Sequence, residues 1–345
     1  MSIKLKNKEV IEYIKEYYQK DNNEWFLGFS GGKDSSATLK LVYTAIKQLD
    51  SFHKKIHVVF CDTGVENPII TNYVKRLFQN LQKESNSQNL PFEYKIIYPK
   101  LSDRFFVKVI GRGYPTPTNI FRWCTKQLRV DPINRYINAK INSSIILGVR
   151  INESEQRNRT IEKHKLEEKY HLKQNNSAKK IIFSPILYHE LEEVWLTIYS
   201  TQYPESINAS EIRKIYNDAE SECSSIKLKN QPCGSSRFGC WTCTVVRKDK
   251  SIANQISNGY TELEELHNFR NWLYEFRDNT KYRCKFRRNG QKSLGPITLE
   301  GRKIILQKLL DIQKKSEYTL ISNQEIDEIY KLWELDKQSK TYREN

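Results

Sequence analysis

The chain has 345 residues, 38% hydrophobic and 28% charged, a balance that fits a folded globular protein and excludes fibrous, collagen-like and low-complexity classes. No apolar run approaches the roughly 18 residues needed to cross a bilayer, and the N-terminal MSIKLKNKEV lacks the apolar core of a signal peptide, so a cytoplasmic protein without a membrane partner is expected. Lys and Arg number 57 against 41 Asp and Glu, a formal net charge of +16; this favours a polyanionic partner such as nucleic acid, although a general enrichment in lysine would raise the charge equally well.

Apolar runs at residues 25–30, 56–62, 94–99 and 144–150 are separated by helix-length stretches, the pattern of βαβ units and a parallel sheet. Residues 152–180 are dense in Glu, Lys, Asn and His and read as a mobile excursion or a polar helix. A short helix is expected over 191–200, followed by a polar, poorly periodic insertion at 201–230. Beyond Lys250 the pattern is helical: Leu263, Leu266, Phe269, Trp272, Leu273 and Phe276 share one face. Ile304, Leu306, Leu309, Leu310 and Ile312 make a second helix, and Ser322 with Glu325 forms a capping-box pattern opening a third. The expected division is a catalytic body over 1–250 and a helical C-terminal subdomain over 251–345.

Residues 26–36, Phe-Leu-Gly-Phe-Ser-Gly-Gly-Lys-Asp-Ser-Ser, pass from an apolar strand through paired glycines into a helix. Gly31 and Gly32 let backbone N–H groups approach phosphate oxygens, and the N-terminus of the following helix adds partial positive charge. Lys33 can offset phosphate charge, Asp34 can hold Mg2+, and Ser30, Ser35 and Ser36 carry hydroxyl donors, so ATP with Mg2+ suits the whole string. The spacing excludes a Walker A loop, which needs four residues between its first glycine and Gly-Lys, and a hydroxyl directly after the lysine.

Cys233, Cys240 and Cys243 fall within eleven residues, and Cys124 sits apart in Phe-Arg-Trp-Cys-Thr-Lys. Seven cysteines in a reducing compartment do not suggest a disulfide framework, so this grouping reads as a metal site. Four thiolates suit Zn2+ or an iron–sulfur cluster, and spacing does not choose between them. Farther on, Lys281-Tyr-Arg-Cys-Lys-Phe-Arg-Arg288 interleaves cations with aromatics; it fits contact with phosphates and bases or, equally, a solvated basic linker.

The glycine string resembles the PP-loop of ATP pyrophosphatases, which cleave between the α and β phosphates. This implies an α/β fold of the adenine nucleotide alpha hydrolase kind, a parallel sheet flanked by helices, here with a Cys-rich segment. The same resemblance places Asp62 and Thr63, in Cys-Asp-Thr-Gly, along an adenosine pocket. It places Gly148 and Arg150, in Leu-Gly-Val-Arg, on a second nucleotide-facing segment, with Arg157 beyond. Arg150 and Arg157 can contact phosphates, though Arg157 also suits a surface cation beside an acidic helix. Lys33, Asp34 and Arg150 become the candidate catalytic residues.

Taken together, SGGKDSS, CDTGVENP, PTPTNIFRWCTKQLRV, LGVRINES and CGSSRFGCWTCTVV resemble the DndC family of DNA phosphorothioation sulfurtransferases over most of residues 25–250. The resemblance implies adenylation of a DNA backbone phosphate, replacement of a non-bridging oxygen by sulfur, and a [4Fe-4S] cluster on Cys124, Cys233, Cys240 and Cys243. It also implies a separate cysteine desulfurase as sulfur donor, since the chain shows no pyridoxal-phosphate machinery, and other phosphorothioation-system proteins as partners. Phosphoadenylyl-sulfate reductases and tRNA-thiolating PP-loop enzymes share the fold and stand as alternatives. A non-catalytic DNA-binding subunit holding ATP as a structural ligand is a further one.

Overall fold

The computed structural model describes residues 2–139, 142–173, 181–219 and 238–339. Its principal elements in chain order are α1 (Ile3–Lys20), β1 (Glu24–Gly28), α2 (Lys33–Lys47), β2 (Ile56–Cys61), α3 (Pro68–Ser87), β3 (Phe92–Ile97), α4 (Asp131–Asn138), β4 (Ser143–Leu147) and α5 (Glu155–His164). They continue with β5 (His171–Lys173), β6 (Ile181–Phe183), α6 (Leu191–Ser200), α7 (Ala209–Ala219), α8 (Lys250–Ser257), α9 (Glu264–Phe276), α10 (Leu299–Lys315) and α11 (Asn323–Ser339). Two compact units interleave along the chain. Unit 1 takes Met1–Cys61, Ile70–Ile97 and Asn134–Lys214; unit 2 takes Asp62–Ile69, Tyr98–Ile133 and Ile215–Asn345.

Unit 1 holds a six-stranded sheet in the order β3-β2-β1-β4-β6-β5, parallel throughout except where β5 runs against β6. Leu27 of β1 lies opposite Val58 of β2 on one side and Ile146 of β4 on the other. Strands covered on both faces are apolar without alternation, and Trp25, Phe26 and Leu27 are accordingly all buried, as are Ile56, Val58, Val59 and Phe60. Helices α1, α2 and α6 pack on one another, with Leu39, Leu41, Val42 and Ile46 of α2 fully buried. Winding runs outward from β1 to β2 and β3 on one side and to β4 on the other, so a switch point lies at the carboxyl ends of β1 and β4, where open α/β sheets bind ligands.

Unit 2 is helical, with a core formed by Leu266, Phe269 and Leu273 of α9, Ile305 and Leu309 of α10 and Ile329 and Trp333 of α11 around Phe106, Ile110, Trp123 and Trp241. The Ser322–Glu325 capping box forms: the Ser322 hydroxyl accepts from the Glu325 N–H at 3.3 Å, and the Glu325 carboxylate accepts from the Ser322 N–H at 3.1 Å. Arg302, fully buried on α10, donates to the Gly111 carbonyl at 2.6 Å and pairs with Asp336 at 2.9 Å.

Three stretches differ from expectation. Residues 152–180 contain α5, in agreement with the polar-helix alternative, but also the edge strand β5, and β6 adds three more residues beside β4; strands this short carry too few positions for a period-two signal. The expected insertion at 201–230 contains α7, whose Ile212, Ile215 and Tyr216 are buried at helical spacing. The chain beyond Lys250 is not wholly helical, because residues 283–297 fold into a hairpin with bridges Arg283↔Ile297 and Phe286↔Lys292.

Candidate functional site

The glycine loop leaves β1 at the switch point and enters α2, whose N-cap is Gly32. Gly31 sits at φ +76°, and a Cβ there would stand 2.7 Å from Val74 Cγ2, so both conformation and space require glycine. The Ser35 hydroxyl accepts from the Ser30 N–H at 3.2 Å and donates to the Gly32 carbonyl at 2.9 Å, lacing the turn shut. Ser36 Oγ is buried with no hydrogen-bond partner among the described residues. The loop thus spends Ser30 and Ser35 on its own shape.

Gly148, just past β4, brings a second segment against this turn. A Cβ at Gly148 would lie 2.7 Å from the Asp34 carbonyl oxygen and 2.9 Å from Thr38 Oγ1. Two residues on, Arg150 is buried and its Nε donates to Asp34 Oδ1 at 2.7 Å, while Lys33 Nζ lies 3.2 Å from Asp34 Oδ2. The result is two cations and one carboxylate at a helix N-terminus, a net positive array beside a positive dipole end. Ser184 secures the segment by donating to the Leu147 carbonyl at 2.8 Å and accepting from the Val149 N–H at 3.1 Å. Arg157 stands in the first turn of α5, where it pairs with Glu153.

Asp62 and Thr63 belong to unit 2. Asp62 accepts from the Gly64 N–H at 2.9 Å, closing its own turn, and Thr63 donates to Glu66 at 2.9 Å. Glu66 is the centre of this cluster: Arg129 donates to both its oxygens, at 2.7 and 2.8 Å, and Cys240 Sγ lies 3.8 Å away. The backbone agrees, with an antiparallel bridge Glu66↔Cys240 and a hydrogen bond from the Trp241 N–H to the Val65 carbonyl at 2.9 Å. Neither Glu66 nor Arg129 stands out in the sequence, since each lies inside a motif whose notable member is a neighbour.

The Cys240–Cys243 turn closes through a Cys243 N–H to Cys240 carbonyl bond of 2.9 Å. Cys124 and Cys240 are both within electrostatic reach of Cys243. Burial raises the Cys124 thiol pKa; burial and then the Glu66 carboxylate raise that of Cys240, against a lowering by Arg129. Among the described residues no group of three or more His, Cys, Asp or Glu is placed to hold a metal ion, the three described thiols included. Cys233 lies outside the described residues.

A family model for the phosphoadenosine phosphosulfate reductase domain matches residues 24–246. The chain belongs to this family. Its six-stranded sheet, switch-point loop and flanking helices are thus the PP-loop nucleotide-binding fold of that family. This reductase-family chain is 26% identical to an uncharacterized protein of Methanocaldococcus jannaschii, covering 75% of the chain and 43% of the relative. A second uncharacterized protein of that organism is 25% identical, with 77% and 56% covered; the chain spans about half the length of these curated relatives. Among solved structures it is similar to the phosphoadenylyl-sulfate reductase of Candida auris, at 12% identity and TM-score 0.39 over 62% of this chain and 90% of that one. It is also similar to the U34-tRNA thiolase NcsA of Methanococcus maripaludis with its [4Fe-4S] cluster, at 15% identity and TM-score 0.35 over 85% of each chain. No helix among the described residues is long and apolar enough to cross a membrane.

Proposed function

We propose that this chain binds ATP at residues 30–36 and uses it to adenylate a backbone phosphate of DNA, whose non-bridging oxygen is then replaced by sulfur. The observation that carries this reading is the Gly31–Gly32 turn opening α2 beside Lys33, Asp34 and Arg150, a cradle in which added side-chain atoms have no room. Backbone N–H groups of the turn would hold phosphate oxygens, Asp34 would take Mg2+, and Lys33 and Arg150 would offset charge as pyrophosphate leaves. A non-bridging oxygen of the DNA attacks the α-phosphorus of ATP and pyrophosphate departs. Sulfur at the sulfide level then attacks the activated phosphorus and AMP departs.

The described thiols Cys124, Cys240 and Cys243 suit a thiolate-bound centre in donor type, with Cys233 as the fourth candidate. A [4Fe-4S] cluster bound there would supply sulfur handling or reducing equivalents. This chain's own contribution is positional: Glu66 and Arg129 fix the strand of backbone that presents Cys240. A cysteine desulfurase would supply the sulfur as a persulfide, and a thiol reductant, itself oxidised to the disulfide, would release it at the sulfide level, with other proteins of a phosphorothioation system as partners.

The test is anaerobic purification followed by pyrophosphate release from ATP with DNA, a persulfide donor and a thiol reductant, then mass analysis of nuclease-digested DNA. Phosphorothioate-linked dinucleotides, lost in Lys33→Ala, are expected. Sulfite formed from phosphoadenylyl sulfate, or thiolated tRNA bases, would replace this reading by that of a different PP-loop enzyme.

A further inference from the structure

We infer that unit 2 carries a surface for an unpaired nucleic-acid strand, built from the hairpin at 283–297 and the loop at 112–126. This surface would hold the DNA of the proposed reaction, and it rests on that reading only in the choice of DNA over RNA.

Charge is concentrated there to a degree that general lysine enrichment does not explain. Residues 104–130 and 279–299 together contain twelve Lys and Arg and no Asp or Glu, of which Arg104, Lys108 and Arg129 pair with Glu325, Asp103 and Glu66 outside these stretches. These two stretches carry twelve of the sixteen net positive charges, and the remaining six-sevenths of the chain carries four. Although 149 positions apart at their nearest ends, they are joined in the fold. The Ile297 N–H donates to the Gly113 carbonyl at 2.7 Å, and the Arg288 guanidinium donates to the Arg112 carbonyl and stands 5.1 Å from the centre of the Tyr114 ring.

The hairpin is a shaped element. Its tip turns through a Gly290 N–H to Arg287 carbonyl bond of 2.9 Å, with Gly290 at φ +82°, followed by an Arg287 N–H to Gln291 carbonyl bond of 2.9 Å; this is a type I turn with a glycine bulge. At its base Gly295 packs so closely that a Cβ would fall 1.9 Å from the Phe286 carbonyl oxygen. Lys285, Arg287 and Lys292 are exposed on it, and none pairs with a carboxylate among the described residues. On the neighbouring loop, Thr244 and Arg277 both donate to the Pro117 carbonyl, at 2.8 and 3.2 Å, and hold the backbone in place.

Apolar groups stand among these cations. Phe286 is 44% exposed, Phe121 45% and Ile120 99%. A purely solvated basic face gains nothing from displaying them, whereas unpaired bases stack on such rings while cations hold the phosphates between. A duplex hides its base faces, so the exposed rings select a single strand. Cys124 lies in the same loop, between Arg122 and Lys126, which would bring a bound strand to the cysteine site of unit 2.

The test is fluorescence anisotropy with the full chain, without ATP, against a labelled oligonucleotide of about 15 nucleotides, single-stranded and as a duplex, over a salt series. Lys285→Gln/Arg287→Gln/Lys292→Gln should weaken single-strand binding about ten-fold or more and lower the salt slope by about 2. The equal charge change Lys4→Gln/Lys8→Gln/Lys20→Gln on α1 should shift affinity less than about two-fold. Phe286→Ala should weaken the single strand by about five-fold or more and leave the duplex unaffected. Single Gln variants at the same three positions keep the comparison readable if the triple variant melts early. Equal effects of the two triple variants, or tighter duplex binding indifferent to Phe286, would overturn the surface. Retained pyrophosphate release in Lys33→Ala would instead overturn the proposed activation while leaving this surface standing.

Discussion

The glycine loop of unit 1 and the cysteine site of unit 2 are made on different plans. The loop is seven consecutive residues whose useful donors are backbone N–H groups, shaped by serines within the same turn. The cysteine site draws on residues 62–66, 124–129 and 240–243, held together by side chains and one backbone bridge. A site made of backbone tolerates almost no added atoms but needs few distant partners. A site made of side chains depends on the packing that delivers them.

The largest expected effect breaks this comparison directly. Lys33→Ala should lower pyrophosphate release by about 100-fold or more at a smaller cost in stability than Asp34→Ala, because Asp34 keeps its pairing with Arg150 when Lys33 is removed. Asp34→Ala should lose activity equally and also stability, on the order of 3 kcal/mol, since Arg150 is left buried without its carboxylate. Denaturant unfolding separates the two; equal stability loss in both would mean that the loop acts as a structural turn only.

Acid should act more strongly on unit 1 than on unit 2. His189 is buried, its Nε2 lies 3.1 Å from Asn7 Oδ1, and burial followed by Lys6 lowers its pKa to about 4. Below pH 6.5 the unfolded chain gains a proton that the folded chain refuses until about pH 4, so stability falls as pH drops through that window. The loss between pH 7 and pH 5 is on the order of 2 kcal/mol. Thermal melts at the two pH values check it: His189→Gln should reduce the dependence, and the part that stays belongs to His171 and His267, which burial also holds below the ordinary histidine value.

Gly148→Ala and Gly64→Ala sharpen the contrast between the two plans. The first places a Cβ 2.7 Å from a backbone oxygen and should cost about 1–3 kcal/mol together with nucleotide binding. The second meets nothing within 4 Å and carries only the cost of φ +77°, about 1 kcal/mol. The smallest effect is that of Glu66→Gln, about 0.5 kcal/mol because Arg129 is half exposed. It should lower bound iron while pyrophosphate release stays unchanged; unaltered iron content would separate Glu66 from the cysteine site.

Elements governed by near neighbours were readable from the chain alone. The expected helix over 191–200 coincides with α6, the Ser322–Glu325 box opens α11, and the apolar runs overlap β1 to β4 within two or three residues. The Gly31–Gly32 turn belongs to the same class, because a left-handed residue before a helix leaves few alternatives to glycine. Composition likewise announced a basic protein, though not where the charge gathers.

Tertiary structure alone decided the rest. Three-residue β6 has no periodicity of its own and is a strand because β4 is there to pair with it. Arg150 meets Asp34 across 116 positions and Cys240 meets Glu66 across 174, and the hairpin at 283–297 meets the loop at 112–114. Local preferences act over a turn of helix or a pair of strand residues. Which distant side chains share one surface depends on strand order and helix packing, and those are settled by burial of the whole core.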